Sequence, residues 1–304
     1  MNPLMLRSIQ GVYAAAVTPR RLGTQDINLG VMWEQFDYLV SHGVDGIVLL
    51  GSTGEFVHFS NSERMRLMGL AAKRSRVPIL INVSHSNLDG CVELAQAAQA
   101  SGAAGVLLMP PYFFRYGQEA IYAFYRRFVE EAEMTIPVLL YNIPLFTNPL
   151  LCDTAERLLR DGVVQGIKDS SGEWESFERL DTLRAETPFT LLIGNDRLFL
   201  RARSAGCDGG ISGVACAIPE LMVALDRAVT GGNTDRAERL RTRVDQFIDQ
   251  IANLPVPVAI RDAVAVRGLK LGPHAVPVEE GSSPAFRNWF REWLPAVQEE
   301  CGGA

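Results

Sequence analysis

From Gly11 to Gly231 the chain alternates short β-branched or Leu-rich runs with longer stretches of helical apolar spacing. That alternation is the mark of βα units with parallel strands. The strand candidates are Val12 to Thr18, Gly46 to Leu50, Ile79 to Ser84, Gly105 to Met109, Val138 to Asn142, Val163 to Lys168, Thr190 to Gly194 and Gly209 to Val214. Eight such strands are the number that closes a (β/α)₈ barrel. Ile47-Val48-Leu49-Leu50 and Val106-Leu107-Leu108-Met109 are continuous apolar runs, as expected where both faces of a strand are buried. The expected fold class is therefore α/β, a TIM barrel. A doubly wound open sheet is the alternative, but it ordinarily carries a glycine-rich loop after its first strand, and this chain has none there.

Helix signals fill the gaps. Ser60-Asn61-Ser62-Glu63 is a capping box that opens a helix through Lys73. Leu88 to Ala100, Gln118 to Glu133 and Trp174 to Arg184 have helical apolar spacing, and Leu198 to Ser204 and Pro219 to Val229 form shorter elements. Past Gly231-Gly232 the strands stop. Asn233 to Asn253, Val258 to Arg267 and Ser283 to Gln298 read as three helices. The expected organisation is a barrel over residues 1–230 with a C-terminal helical appendix over 231–304, too small to stand alone and packed on the barrel.

Composition excludes several classes of function. A formal net charge of −6 argues against a nucleic-acid surface. The densest basic stretch, Arg236, Arg239, Arg241 and Arg243, is interleaved with Asp235 and Glu238 and reads as a solvated helix face. No apolar run approaches a membrane span, and Met1 to Gln10 lacks the pattern of a secretion signal, so a cytoplasmic protein is expected. The five cysteines are odd in number and never closely paired, and the four histidines are scattered. Neither disulfides nor a metal is expected, nor any cofactor.

Chemistry is concentrated at Gly166-Ile167-Lys168-Asp169, where an apolar run ends on an amine. A buried ammonium either finds a partner, Asp169 being adjacent, or loses its proton and becomes a nucleophile. The chain has three lysines, Lys73, Lys168 and Lys270; all other side-chain cations are arginines or histidines, and a guanidinium cannot form an imine. In a barrel the active site lies at the C-terminal ends of the strands. There the second strand offers Gly51-Ser52-Thr53-Gly54-Glu55, a small turn suited to a carboxylate, and the fifth offers Tyr141, a phenol able to move a proton. The seventh ends in Gly194-Asn195-Asp196 and the eighth in Gly209-Gly210-Ile211-Ser212-Gly213. Asp196 reads first as the cap of the following helix and second as an acceptor for substrate hydroxyls. Together these groups suit an imine between Lys168 and the ketone of an α-keto acid, with Ser52 and Thr53 on its carboxylate, and C3 bonds then made or broken.

Gly51-Ser52-Thr53-Gly54-Glu55, Tyr141-Asn142-Ile143-Pro144, Gly166-Ile167-Lys168 and Asp208-Gly209-Gly210-Ile211 resemble, in order and spacing, the motifs of the dihydrodipicolinate synthase and N-acetylneuraminate lyase family. The resemblance runs from Gly11 to the end of the chain. It implies a barrel in which Lys168 forms a Schiff base with pyruvate or a pyruvate-derived keto acid, Ser52 and Thr53 bind the carboxylate, and Tyr141 relays the proton, with Ser52 in that relay. It also implies a homotetramer and places Gly194, Asp196 and Ile211 on the substrate side.

Two departures shape the expected substrate. Lysine-pathway synthases of the family carry an arginine two residues after the proline of the tyrosine motif, where this chain has Phe146 in Pro144-Leu145-Phe146-Thr147. Phe146 cannot hold an anion and resembles the apolar residue that sugar-acid aldolases place there, so it enters the substrate-binding set, with Thr147 beside it. In Pro111-Tyr112-Phe113 the second aromatic lacks the hydroxyl that family members extend across a subunit interface. The expectation is a Schiff-base lyase, aldolase or dehydratase, acting on 2-keto-3-deoxy sugar acids or similar hydroxy-keto acids. The alternatives are 4-hydroxy-tetrahydrodipicolinate synthase activity, which joins pyruvate to aspartate semialdehyde, and a barrel that binds a keto acid without turning it over.

Overall fold

The computed structural model describes residues 9–252, 254–278 and 282–302. Eight parallel strands close into a barrel in chain order: β1 (Gly11–Ala15), β2 (Gly46–Leu49), β3 (Ile79–Asn82), β4 (Gly105–Leu108), β5 (Val138–Asn142), β6 (Gly166–Asp169), β7 (Thr190–Ile193) and β8 (Gly209–Ser212). Every strand residue is buried, which explains the continuous apolar runs. The closing seam between β8 and β1 is tight. A side chain at Gly209 would put its Cβ 2.0 Å from the Gly11 carbonyl oxygen, so only glycine permits that approach.

The helices of the barrel are α1 (Leu29–Ser41), α2 (Asn61–Arg74), α3 (Leu88–Ser101), α4 (Gln118–Ala132), α5 (Cys152–Arg160), α6 (Trp174–Arg184), α7 (Phe199–Ser204), the short α8 (Val214–Ala217) and α9 (Pro219–Thr230). The capping box at α2 forms as read: Glu63 Oε2 accepts from the Ser60 amide at 2.9 Å, and Ser60 Oγ accepts from the Glu63 amide at 3.3 Å. Asn28 and Asn87 cap α1 and α3 by accepting from the amides of Val31 and Gly90. Most strands end one to three residues short of the sequence reading, and at two boundaries the reason is visible. Gly166 rather than Val163 opens β6, because the Val163 amide bonds back to Leu158 at the end of α5. Val214 opens a helix instead of ending β8, since the Ser212 hydroxyl accepts from the Ala215 amide and caps the turn.

Beyond the barrel run α10 (Thr234–Ile251), α11 (Val256–Val266) and α12 (Ser282–Gly302). The expected helix end at Asn253, and residues 1–8 of the N-terminal stretch, lie outside the described residues. These helices pack on one another and on α8 and α9, around an aromatic cluster of Phe247, Phe286, Phe290 and Trp293. The arginines of α10 meet acids as expected of a solvated face: Arg241 pairs with Glu238 and Asp245, and Arg243 with Glu300. All five cysteines are free, and no helix among the described residues is long and apolar enough to cross a membrane.

Candidate active site

Tyr141 and Lys168 occupy neighbouring strands in register, both at the C-terminal end of the barrel. Both are buried, and Lys168 Nζ lies 4.0 Å from the centre of the Tyr141 ring, against the negative face of its π system. The phenol oxygen reaches the other way, 2.9 Å from Ser52 Oγ on the loop after β2. Amine, phenol and hydroxyl thus form one contact chain built from two strands and one loop.

Asp169 does not pair with Lys168. The pleat turns it to the opposite face, where its carboxyl accepts from Asn142 Nδ2 at 2.8 Å, the Ser171 amide at 3.1 Å and the Ser171 hydroxyl at 2.9 Å. Burial raises its pKa while those hydrogen bonds pull it back. Its work is structural: together with Asn142, which also accepts from the Leu150 amide, it ties the ends of β5 and β6 together.

Gly194 makes room for the lysine. A Cβ there would lie 2.0 Å from Ser170 Oγ and 2.7 Å from Lys168 Cε. Ser170 Oγ is itself buried without a hydrogen-bond partner, an unspent polar atom beside the lysine stem. Asp196 corrects the first reading of that residue. Asn195 caps the turn after β7 by accepting from the Arg197 amide, while Asp196 Oδ2 accepts from the Val214 amide at 3.4 Å, across at the corner after β8. Burial pushes the Asp196 carboxyl up to about 6, against the downward pull of Ser212, the Val214 amide and the charge of Lys168.

The remaining residues fall at different depths. Thr53 is buried, and its hydroxyl faces the corner at Gly213, where a Cβ would lie 3.5 Å away. A Cβ on Gly210 would strike Phe199 of α7, so Gly210 faces the helix layer and Ile211, next along β8, faces the barrel interior. Phe146 is half exposed on the loop after β5. Thr147 is buried with its hydroxyl spent on the carbonyls of Ile143 and Asn148, so it holds the loop and has no proton left to offer a substrate. Phe113 is 88% exposed with φ 80, a left-handed backbone unusual for an aromatic residue.

Sequence reasoning passed over Ser170 and Asn142. Ser170 follows Lys168 by two residues, a spacing that returns a strand side chain to the same face, and that periodicity was the available signal. Asn142 acts through loop contacts that no local pattern announces.

The pattern of the dihydrodipicolinate synthetase family matches residues 8–287. The chain belongs to that family. It is 31% identical to the 4-hydroxy-tetrahydrodipicolinate synthase of Methanosphaerula palustris over 275 residues, 89% of this chain and 94% of that protein. It is also 31% identical to the enzyme of the same name from Neisseria gonorrhoeae over 288 residues, 92% and 97% of the two chains. Among solved structures it superposes with a TM-score of 0.87 on YagE of E. coli K12, a prophage protein of the dihydrodipicolinic acid synthase family in complex with pyruvate, at 25% identity over 94% of this chain and 99% of that one. The sialic acid aldolase of Ruminococcus gnavus gives a TM-score of 0.86 at 20% identity over 96% and 98% of the chains, a likeness of fold. As a family member the protein is a class I lyase that works through a lysine Schiff base.

Proposed function

We propose that Lys168 is the Schiff-base lysine and that the protein is an aldolase or dehydratase for 2-keto-3-deoxy sugar acids or related hydroxy-keto acids. The amine of Lys168 attacks the C2 ketone through its nitrogen lone pair. Tyr141 delivers a proton to the carbinolamine oxygen, water leaves, and the iminium draws electrons from C3. In aldol cleavage the C4 hydroxyl loses its proton and the C3–C4 bond breaks, leaving an enamine of pyruvate and an aldehyde. In dehydration a C3 proton and the C4 hydroxyl leave instead. Ser52 extends the proton path from Tyr141, and Ser52 and Thr53 hold the substrate carboxylate on their turn.

The substrate class is carried by one observation: the loop after β5 presents Phe146, half exposed, where a dicarboxylate-forming site would need a cation. The Ser170 hydroxyl, without a partner, and the Asp196 carboxyl, an acceptor with further lone pairs, suit the hydroxyls of the rest of the substrate. Gly194 leaves the space, and Ile211 is buried beside it in the barrel. A second reading, condensation of pyruvate with aspartate semialdehyde, is favoured by the name of relatives 31% identical to this chain. We read the assembly as a homotetramer and the compartment as the cytoplasm. The exposed pair Phe113 and Phe114, 5.0 Å apart edge to face, supports burial against another copy.

The experiment is intact mass after incubation with pyruvate and borohydride, followed by a panel of hydroxylated keto acids. One pyruvate adduct and turnover of a deoxy keto acid support the reading. Efficient condensation with aspartate semialdehyde, and no turnover across the panel, would overturn it in favour of the second.

A further inference from the structure

The turn bearing Ser52 and Thr53 begins and ends on non-glycine residues with left-handed backbone, Leu50 at φ 58 and Glu55 at φ 54. Each such residue costs about 1 kcal/mol or more and persists only where its surroundings hold it. At the first end Asn82 Nδ2 donates to the Leu50 carbonyl at 2.7 Å. Just before the second, Thr18 Oγ1 donates to the Gly54 carbonyl at 2.7 Å.

Glu55 is held more strongly. Its carboxyl sits between two arginines, with Arg261 Nη1 3.2 Å from Oε2 and Arg20 Nη2 4.0 Å from Oε1. All three side chains are buried, and Arg20 lies 4.2 Å from the centre of the Phe59 ring. Arg261 belongs to α11, 206 residues along the chain from Glu55. Nη1 also donates to the Thr18 carbonyl at 2.7 Å, and Nη2 donates to the carbonyls of Leu271, Gly272 and Pro273 at 3.0, 3.4 and 2.9 Å. One guanidinium therefore joins the loop after β1, the turn after β2 and the C-terminal segment.

Buried ion pairs add little net stability over an apolar replacement, and their attested use is to fix one geometry among several. We propose that Glu55, clamped by Arg20 and Arg261, is a positioning residue that sets the Ser52–Thr53 turn to receive the keto-acid carboxylate, so that the C-terminal helical segment completes the site. This rests on the reading of that turn as the carboxylate site. The clamp touches no substrate atom; it acts through the turn.

The test compares borohydride trapping of pyruvate with that of acetone, a ketone without a carboxylate. In Glu55→Gln and Arg261→Met the half-saturating pyruvate concentration should rise tenfold or more while acetone trapping stays within twofold of wild type. Arg261→Lys, which keeps the charge, should recover most of the loss. Wild-type pyruvate saturation in both variants overturns the proposal, and so does an equal loss with both ketones, which marks general damage to the fold. Should Glu55→Gln fail to fold, Arg20→Met, which removes the second charge beside Glu55, is expected to show the same split on a smaller scale, and its absence is equally decisive against the clamp. A wild type that forms no pyruvate adduct overturns the carboxylate-site reading itself, a result visible before any variant is made.

Discussion

Lys168 Nζ rests 4.0 Å from the centre of the Tyr141 ring, and the two residues are paired across β5 and β6. The amine thus meets an aromatic face instead of the neighbouring carboxylate, which Asn142 and Ser171 occupy. Replacement of Lys168 by Ala should abolish the borohydride-trapped pyruvate adduct. Lys168→Arg should abolish it as completely, because a guanidinium keeps the charge and cannot form an imine. An adduct surviving in either variant would place the chemistry on Lys73 or Lys270.

Tyr141→Phe keeps the ring beside Lys168 and deletes only the oxygen that meets Ser52 at 2.9 Å. Turnover should fall about 10²- to 10³-fold, the ordinary worth of a positioned proton donor, with little change in KM. Adding Ser52→Ala to Tyr141→Phe should cost less in turnover than it does in the wild type, since the partner hydroxyl is already gone. Full additivity in steady-state kinetics would show that the two do not share a proton path.

Gly194→Ala places a methyl 2.0 Å from Ser170 Oγ and 2.7 Å from Lys168 Cε. The lysine stem must then move, so adduct formation should be lost or slowed at least a hundredfold, an effect of misplacement at the reacting centre. Far-UV circular dichroism should remain that of the wild type. Unchanged trapping would mean that the lysine uses a different route to the substrate.

Asp196 is held at about 6, above its ordinary 3.8, because burial penalises its charge. The folded state therefore binds this proton more tightly than the unfolded chain. The contribution of the group to stability is greatest below about 4, declines as pH rises towards 6, and is constant above it. Asp196→Asn has no such titration. In urea melts the stability of the variant relative to wild type should improve between pH 4 and pH 7 by on the order of 2 kcal/mol, and a difference independent of pH would count against the raised carboxyl.

Phe146→Arg supplies a cation on the loop after β5, where Phe146 is half exposed and free to be replaced. Condensation of pyruvate with aspartate semialdehyde should then rise at least tenfold in kcat/KM, as a new charge-assisted contact to a carboxylate allows. A fall in that activity, measured by product absorbance, would show that the wild-type loop already serves the semialdehyde by another group.

Much of the barrel was legible in the sequence because its signals are local. Both-face burial writes continuous apolar runs such as Ile47 to Leu50, and caps such as Ser60 with Glu63 act within one turn of chain. That Lys168, Tyr141 and Ser52 come together could be read for the same reason: the C-terminal ends of parallel strands and the turns after them all lie at one end of the barrel. Asp196 was misjudged as a cap because Asn195, one residue earlier, captures the turn amide.

Other features were decided only by the tertiary structure, because they depend on groups far apart in sequence. The direction in which Asp169 turns, the unspent hydroxyl of Ser170 beside Gly194, and the junction of Arg20 and Glu55 with Arg261 on α11 leave no periodic trace. A sequence records which residues share a strand or a helix face; it does not record which buried donor meets which acceptor. Those pairings follow from closing the ring of strands and laying the C-terminal helices against it, because each buried polar group must find its partner among whatever that closure brings near.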